Sequence, residues 1–184
     1  MVSGLRAYLG DKRAAILRQR ERAANGEGPT GPLQLKAEVT AEGRSGVRRL
    51  RIRDHQILAD TGPDFAGFDF GPTSPELQLG VLGTCLTHMF LIQAADREVP
   101  LDALSVEVTG QVDYRAGKEG FEDVPVYPHN LTYTVTIDSP ASDETLAELQ
   151  EAVERICPVL NLLRSPQEIS GTVVRQGAVA LAAD

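Results

Sequence analysis

Residues 74–98 read SPELQLGVLGTCLTHMFLIQAADRE, and this stretch decides the fold. Ser74 has N-cap chemistry, Pro75 suits the first helical position, and Glu76 sits in the first turn, where the helix dipole favours an anion. Pro100 stops the pattern just beyond Glu98. Between these limits Leu77, Leu79, Val81, Leu82, Leu86, Met89, Phe90 and Ile92 fall on most faces, so the spacing predicts a helix buried nearly all round. Such a helix belongs at the centre of a molecule. A single small sheet cannot cover it, and a second chain is expected to.

Outward from this helix the period changes from helical to alternating. Upstream, Leu33, Leu35, Ala37, Val39 and Ala41 alternate with Gln34, Lys36, Glu38 and Thr40, predicting a half-buried strand. Gly43-Arg44-Ser45-Gly46 has turn chemistry, and residues 47–53 follow with Leu50 and Ile52 opposite Arg49, Arg51 and Arg53, which completes a hairpin. Ile57 to Ala59 adds a short third strand before a glycine-rich loop from Gly62 to Gly71. Downstream, Leu104, Val106, Val108, Gly110, Val112 and Tyr114 alternate, as do Leu131, Tyr133, Val135 and Ile137. Ser142, Asp143 and Glu144 open a second helix with a stripe of Leu146, Leu149, Val153 and Ile156, which Cys157-Pro158 interrupts. A last strand is expected over residues 168–175, and a frayed tail after Gly177. The predicted class is α+β, in the order β-β-β-α-β-β-α-β around a long buried central helix.

The 184 residues allow one domain, or one plus an appendage. The division expected is a basic helical extension and linker at 1–30, a domain at 31–176 and a tail at 177–184. Residues 1–25 hold six basic and two acidic side chains, whereas the rest of the chain is strongly acidic and the net charge is −8. Leu5, Leu9 (or Tyr8), Ile16 and Leu17 form one stripe, and Asn25-Gly26-Glu27-Gly28-Pro29 breaks the helix. This helix is expected to dock on its own acidic body or on a partner subunit. Nucleic acid is excluded as a partner, because an acidic body repels phosphate and only 5% of residues are aromatic, with no Trp. Gln78, Thr84, Thr87 and His88 break the longest apolar stretch, which argues against a membrane span. No secretory pattern is expected at the N-terminus, and Asp11 and Glu21 disfavour a mitochondrial presequence. Two cysteines are too few for a disulfide scaffold, so the cytoplasm is the expected compartment.

Phosphate-binding and dinucleotide fingerprints are missing, and His55, His88 and His129 are too scattered for a metal site. No cofactor and no metal are expected. His88 follows Cys85 by three residues, which makes them helical neighbours, although a histidine on a long helix is ordinarily just hydrogen-bonded. Cys85 sits midway along the central helix and Cys157 at a helix break. If Pro158 begins a new helix, Cys157 is its N-cap, where free amides and the dipole would lower the thiol pKa. A buried free cysteine is otherwise an inert small apolar group. Composition and spacing leave both readings open.

The run Gly71-Pro72-Thr73-Ser74-Pro75-Glu76-Leu77, followed by Leu82-Gly83-Thr84-Cys85-Leu86, resembles the G-P-x-P-x-E-L…L-G-x-C segment of the OsmC/Ohr superfamily of osmotically induced and organic-hydroperoxide-resistance proteins. Cys157-Pro158-Val159-Leu160 looks like its second cysteine motif, and Gly43-Arg44-Ser45-Gly46 is similar to its arginine-bearing turn. The resemblance covers residues 33–175. It implies an OsmC-like intertwined homodimer with active sites at the subunit interface. It also implies a thiol-dependent peroxidase in which Cys85 attacks an organic hydroperoxide, Cys157 resolves the sulfenic acid as a disulfide, and an external dithiol reductant restores the pair.

A buried thiol needs a cation nearby to be a good nucleophile. Arg44 is the candidate, with Arg51 or Arg53 able to take the role, and the resemblance makes Glu76 the carboxylate that orients it. On one straight helix, however, Glu76 and Cys85 would lie about 13 Å apart along the axis and on opposite faces. Either Glu76 precedes a later helix start, or the site takes it from another chain; failing both, it is a first-turn acid serving the dipole. The alternative to catalysis is a dimer that binds an apolar small molecule in its interface cleft, with both cysteines merely packed.

Overall fold

A computed structural model describes residues 4–175 of the chain. Helix α1 (Gly4–Ala24) precedes strands β1 (Glu38–Glu42), β2 (Val47–Ile52) and β3 (His55–Ala59). A 3-10 turn at Pro63–Phe65 leads to the long helix α2 (Ser74–Arg97), then to β4 (Ala103–Gln111), β5 (His129–Asp138), α3 (Asp143–Ile156) and α4 (Pro158–Arg164). The strands form two antiparallel sheets, β1-β2-β3 and β4-β5. The α+β class therefore holds.

Helix α2 starts where the sequence places it, but its cap is Thr73 rather than Ser74. The Glu76 carboxylate accepts hydrogen bonds from the Thr73 amide and hydroxyl, both at 2.7 Å. This is a capping box, and it puts Pro75 within the first turn, where no amide donor is missed. At the other end Glu98 takes a left-handed conformation (φ 59°), and the Val99 amide closes on Ala94 O at 2.9 Å.

One stripe of α2, Leu82, Leu86, Phe90 and Ala94, is buried at four-residue spacing. It packs between the inner face of β4-β5 (Leu104, Val106, Val108, Tyr133, Val135, Ile137) and Leu149, Val153, Cys157 and Leu160 of the α3–α4 region. Gly83 allows the close approach to the sheet: a Cβ there would stand 3.3 Å from Val108 Cγ2. By length and composition alone α2 could cross a membrane, but this stripe is the core of the chain.

Three expectations fail within the single chain. The central helix is not buried all round, since Val81 is 52% exposed and Thr84 and His88 are exposed as well. The first strand begins at Glu38 instead of Leu33, and Leu33, Leu35 and Val39 all face solvent. In both places the apolar face exists without a layer to lie against, because the sheet β1-β2-β3 does not pack substantially on any helix. The last strand, 168–175, is not formed; Ile169, Val173 and Val174 are exposed on a segment with no neighbouring strand edge. A short helix, α4, follows Cys157 instead. The tail after Gly177 lies outside the described residues.

The basic helix α1 docks on the body of its own chain, as expected. Leu9 enters the core, with Leu5 and Ile16 packed beside it, while Tyr8 and Leu17 remain exposed. Arg6 pairs with Asp102, Arg20 with Asp96 at 2.7 Å, and Arg13 with Glu98 at 3.1 Å. Arg13 also donates to Asp96 O at 2.7 Å and to Ala95 O at 3.4 Å. A guanidinium thus caps the C-terminal carbonyls of α2, the negative end of its dipole.

Candidate active site

The two thiols meet. Cys157 Sγ lies 3.5 Å from Cys85 Sγ, with the Cys157 thiol donating toward the Cys85 sulfur. Neither is in a disulfide; Cys157 is fully buried and Cys85 partly so. Helix α2 presents Cys85 toward the α3–α4 break, on the side turned away from Glu76 by nine helical positions.

The break that presents Cys157 is chemical in origin. Pro158 cannot continue α3, so Cys157 turns extended (φ −66°, ψ 112°), serving at once as the C-cap of α3 and the N-cap of α4. The N-cap position was anticipated, but its expected effect on the thiol was not realised. Burial pushes the Cys157 thiol up, and the neighbouring Cys85 sulfur adds to this. The amides of Leu160 and Val159 pull the other way, without closing a capping hydrogen bond and without reversing the shift. A seven-residue helix has little dipole to set against full burial. Burial accordingly favours the protonated form of Cys157, whose thiol is directed at the Cys85 sulfur.

Around the break lies a polar network that the sequence reading missed. Asn161 Nδ2 donates to Glu154 O at 3.0 Å and to Cys157 O at 2.8 Å. The Glu154 carboxylate accepts from Tyr133 Oη, from Gln150 Nε2 at 3.0 Å and from Arg164 Nη2 at 2.9 Å. These contacts, Tyr133 first, bring the Glu154 carboxyl down to about 2. Burial and the same carboxylate raise Tyr133 to about 12. The signal in the sequence was a proline followed three positions later by an amide side chain.

The remaining candidates lie elsewhere in the chain. Glu76 is occupied by its capping box, and its carboxyl is lowered by the Thr73 hydroxyl and then the Thr73 amide. It lines an open cavity of about 720 Å³ with Leu79, Gly83, Thr84, Thr87, Leu91 and Val108, and Cys85 is not among the residues of that lining. His88 is exposed at the rim of that cavity and makes no bond to Cys85. Arg44, Arg51 and Arg53 are exposed on the β1-β2-β3 sheet, and no hydrogen bond or ion pair of the described residues brings any of them to Cys85. The cysteines come together; the arginine and the glutamate do not join them within one chain. Among the described residues no group of three or more His, Cys, Asp or Glu could hold a metal ion.

Comparison with known proteins gives one family match, the model described as OsmC-like protein, over residues 67–170, more than half of the chain. A search among curated proteins returns no match. Among solved structures, an OsmC-like protein from Mycoplasma pneumoniae aligns with a TM-score of 0.61 at 18% identity, covering 73% of this chain and 89% of that one. An organic hydroperoxide resistance protein from Elizabethkingia anophelis aligns with a TM-score of 0.56 at 13% identity, covering 74% and 91%. An organic hydroperoxide resistance protein OsmC from Legionella pneumophila aligns with a TM-score of 0.51 at 15% identity, covering 73% and 92%. At these identities the likeness is one of fold.

Proposed function

This chain belongs to the OsmC-like protein family, and from that premise we propose that it is a thiol-dependent peroxidase that reduces organic hydroperoxides through Cys85 and Cys157. The observation that carries the reading is the 3.5 Å contact between the two sulfurs. Two free thiols in van der Waals contact are one small movement from a disulfide, and a pair placed only for packing has no need of a proline-made break to bring them together.

The chemistry balances as a two-electron exchange. The Cys85 thiolate attacks the terminal oxygen of ROOH, an S–O bond forms as the O–O bond breaks, and the alkoxide leaves as ROH after taking up a proton. Cys85 is then a sulfenic acid. Cys157 attacks its sulfur, the S–O bond breaks, and water departs with the Cys157 proton, leaving a disulfide. An external dithiol returns both electrons and both protons. The roles follow from burial: Cys157 is the enclosed thiol, pushed toward its protonated form, and Cys85 the partly exposed one, so Cys85 attacks and Cys157 resolves.

The cation that activates Cys85 comes, in this proposal, from a second copy of the chain. The uncovered side of α2 and the unpacked β1-β2-β3 sheet, which carries Arg44 on an exposed turn, leave room for a homodimer in which each sheet covers the other chain's helix. Arg44 would then stand over the partner copy's thiol, and Glu76 at the edge of the same interface. A specific observation also favours the reading without catalysis, a dimer binding an apolar ligand: the open cavity along α2 has Leu79, Leu91, Val106 and Val108 in its lining. One experiment separates them. Thiols are counted by mass spectrometry before and after one equivalent of cumene hydroperoxide. Loss of both thiols with a Cys85–Cys157 linkage and stoichiometric alcohol supports the peroxidase; two unchanged thiols overturn it.

A further inference from the structure

We infer that Asn161 is a positioning residue for the Cys157 thiol, its side-chain amide taking the place of the N–H that Pro158 lacks and so fixing the break that holds Cys157 against Cys85. The inference rests on the two-cysteine reading for its consequence in turnover, but not for its geometry.

In an uninterrupted helix Glu154 O would accept a bond from the amide four residues on. That residue is Pro158, which has no N–H to give. The carbonyl is not left orphaned, because Asn161 Nδ2 reaches it at 3.0 Å. The same nitrogen lies 2.8 Å from Cys157 O, which also accepts the Asn161 backbone amide at 3.0 Å. Both partners of Nδ2 are carbonyl oxygens, so the amide can face only one way round. One side chain on α4 therefore ties the last turn of α3 to the first turn of α4 across the residue between them, and that residue is Cys157. Arg164 adds a second strut, from the end of α4 to the Glu154 carboxylate at 2.9 Å. A proline break by itself acts as a swivel, since it removes a hydrogen bond and supplies none. With Asn161 in place the angle between α3 and α4 is set, and with it the direction of the buried thiol.

The test compares Asn161→Asp with wild type and with Leu163→Ala. Aspartate keeps the size of the side chain but sets a carboxylate without donors against two carbonyl oxygens. Leu163 packs on the core from the same helix, and its truncation loosens α4 without touching the break. Starting from reduced protein, disulfide closure is timed by quenched mass spectrometry with diamide, a diazene that takes two electrons and two protons from the thiol pair. Formation of the Cys85 sulfenic acid by cumene hydroperoxide is timed separately by dimedone trapping. Melting temperatures are measured for all three proteins.

For Asn161→Asp, closure is expected to slow about tenfold or more, equivalent to about 1.4 kcal/mol in the barrier. Sulfenic acid should form at the wild-type rate and then accumulate. Leu163→Ala should lose at least as much stability and close at nearly the wild-type rate. The inference is overturned if Asn161→Asp closes as fast as wild type, or if Leu163→Ala slows closure equally. Absence of sulfenic acid in wild type, with closure by diamide still slowed in Asn161→Asp, would remove the peroxidase reading and leave the positioning role standing.

Discussion

Oxidation of the Cys85–Cys157 pair should raise the melting temperature of the protein, and the structure sets the size of the effect. The two residues stand 72 positions apart. A cross-link over a loop of that length removes about 4 kcal/mol of chain entropy from the unfolded state. The native state gives little of this back if the sulfurs, already 3.5 Å apart, close to about 2.05 Å by small adjustments of two side chains and the backbone at Cys157. For a chain of this size each kcal/mol moves the midpoint by about 2–4 °C, so the upper limit is a rise of about 16 °C. The assay is scanning calorimetry at one fixed protein concentration, since assembly would make the midpoint depend on concentration. Protein in excess dithiothreitol is compared with protein oxidised until no thiol reacts. Cys157→Ser, which cannot close the ring, should melt alike in both conditions. An oxidised protein that melts at or below the reduced one would mean that closure forces the helices apart from their resting packing, and the argument that these thiols are poised for it would fail.

Arg13→Ala should cost about 1–2 kcal/mol in chemical denaturation, because it removes the guanidinium from the C-terminal carbonyls of α2 and from Glu98 together. A loss within about 0.5 kcal/mol would show that α1 is held by its apolar stripe and its other ion pairs, with Arg13 adding nothing. Glu154, lowered to about 2 by its three partners, stabilises the fold fully above the ordinary carboxylate range, and that contribution disappears as the pH falls from about 4.3 toward 2. Its partner Tyr133, raised to about 12, contributes fully below about 10 and loses that contribution as the pH rises toward 12. Stability curves of Glu154→Gln should therefore be flatter than wild type at both extremes, and parallel curves would refute the coupling. At pH 8, iodoacetamide should alkylate Cys85 well before Cys157, which is fully buried and has its thiol pushed up; mass spectrometry showing Cys157 first would reverse the assignment of roles.

The elements that were legible in the sequence are those whose reasons are local. Helix α2 follows from its start chemistry and the stop before Pro100, and β4 and β5 from the alternation that begins at Leu104 and from that of Leu131 to Ile137. The cap was misplaced by one residue because Ser74-Pro75 mimics a start, although Thr73 and Glu76 hold the capping-box spacing one step earlier. The segments that failed have periodicity without a neighbour. Leu33 and Leu35 alternate correctly, as do Ile169 and Val173, yet all four are exposed. Alternation states which face of a strand wants cover; it does not state which edge the strand will find. Asn161 was invisible for a different reason: its role exists only because a proline three positions earlier withholds a donor, and neither residue type signals this alone.

The same distinction explains why half of the proposed site was found assembled and half was not. Cys85 and Cys157 sit on helices that share one core, so burial of Leu86, Leu149 and Val153 brings the sulfurs together as a by-product of packing. Arg44 and Glu76 have no such obligation within one chain. Arg44 rides a hairpin whose Val39 and Ile52 are left uncovered, and Glu76 faces away from the thiol because nine helical positions on a straight α2 put it there. A cation held permanently against Cys85 by its own chain would have to be buried and paired, which is costly without a second charge. Placing it on a separate surface defers that cost until two chains meet, and the uncovered sides of α2 and of the hairpin are the surfaces whose burial would offset it. On this reasoning, thiol reactivity and assembly are one equilibrium: dilution that separates the chains should slow attack by Cys85 without altering the contact between the sulfurs.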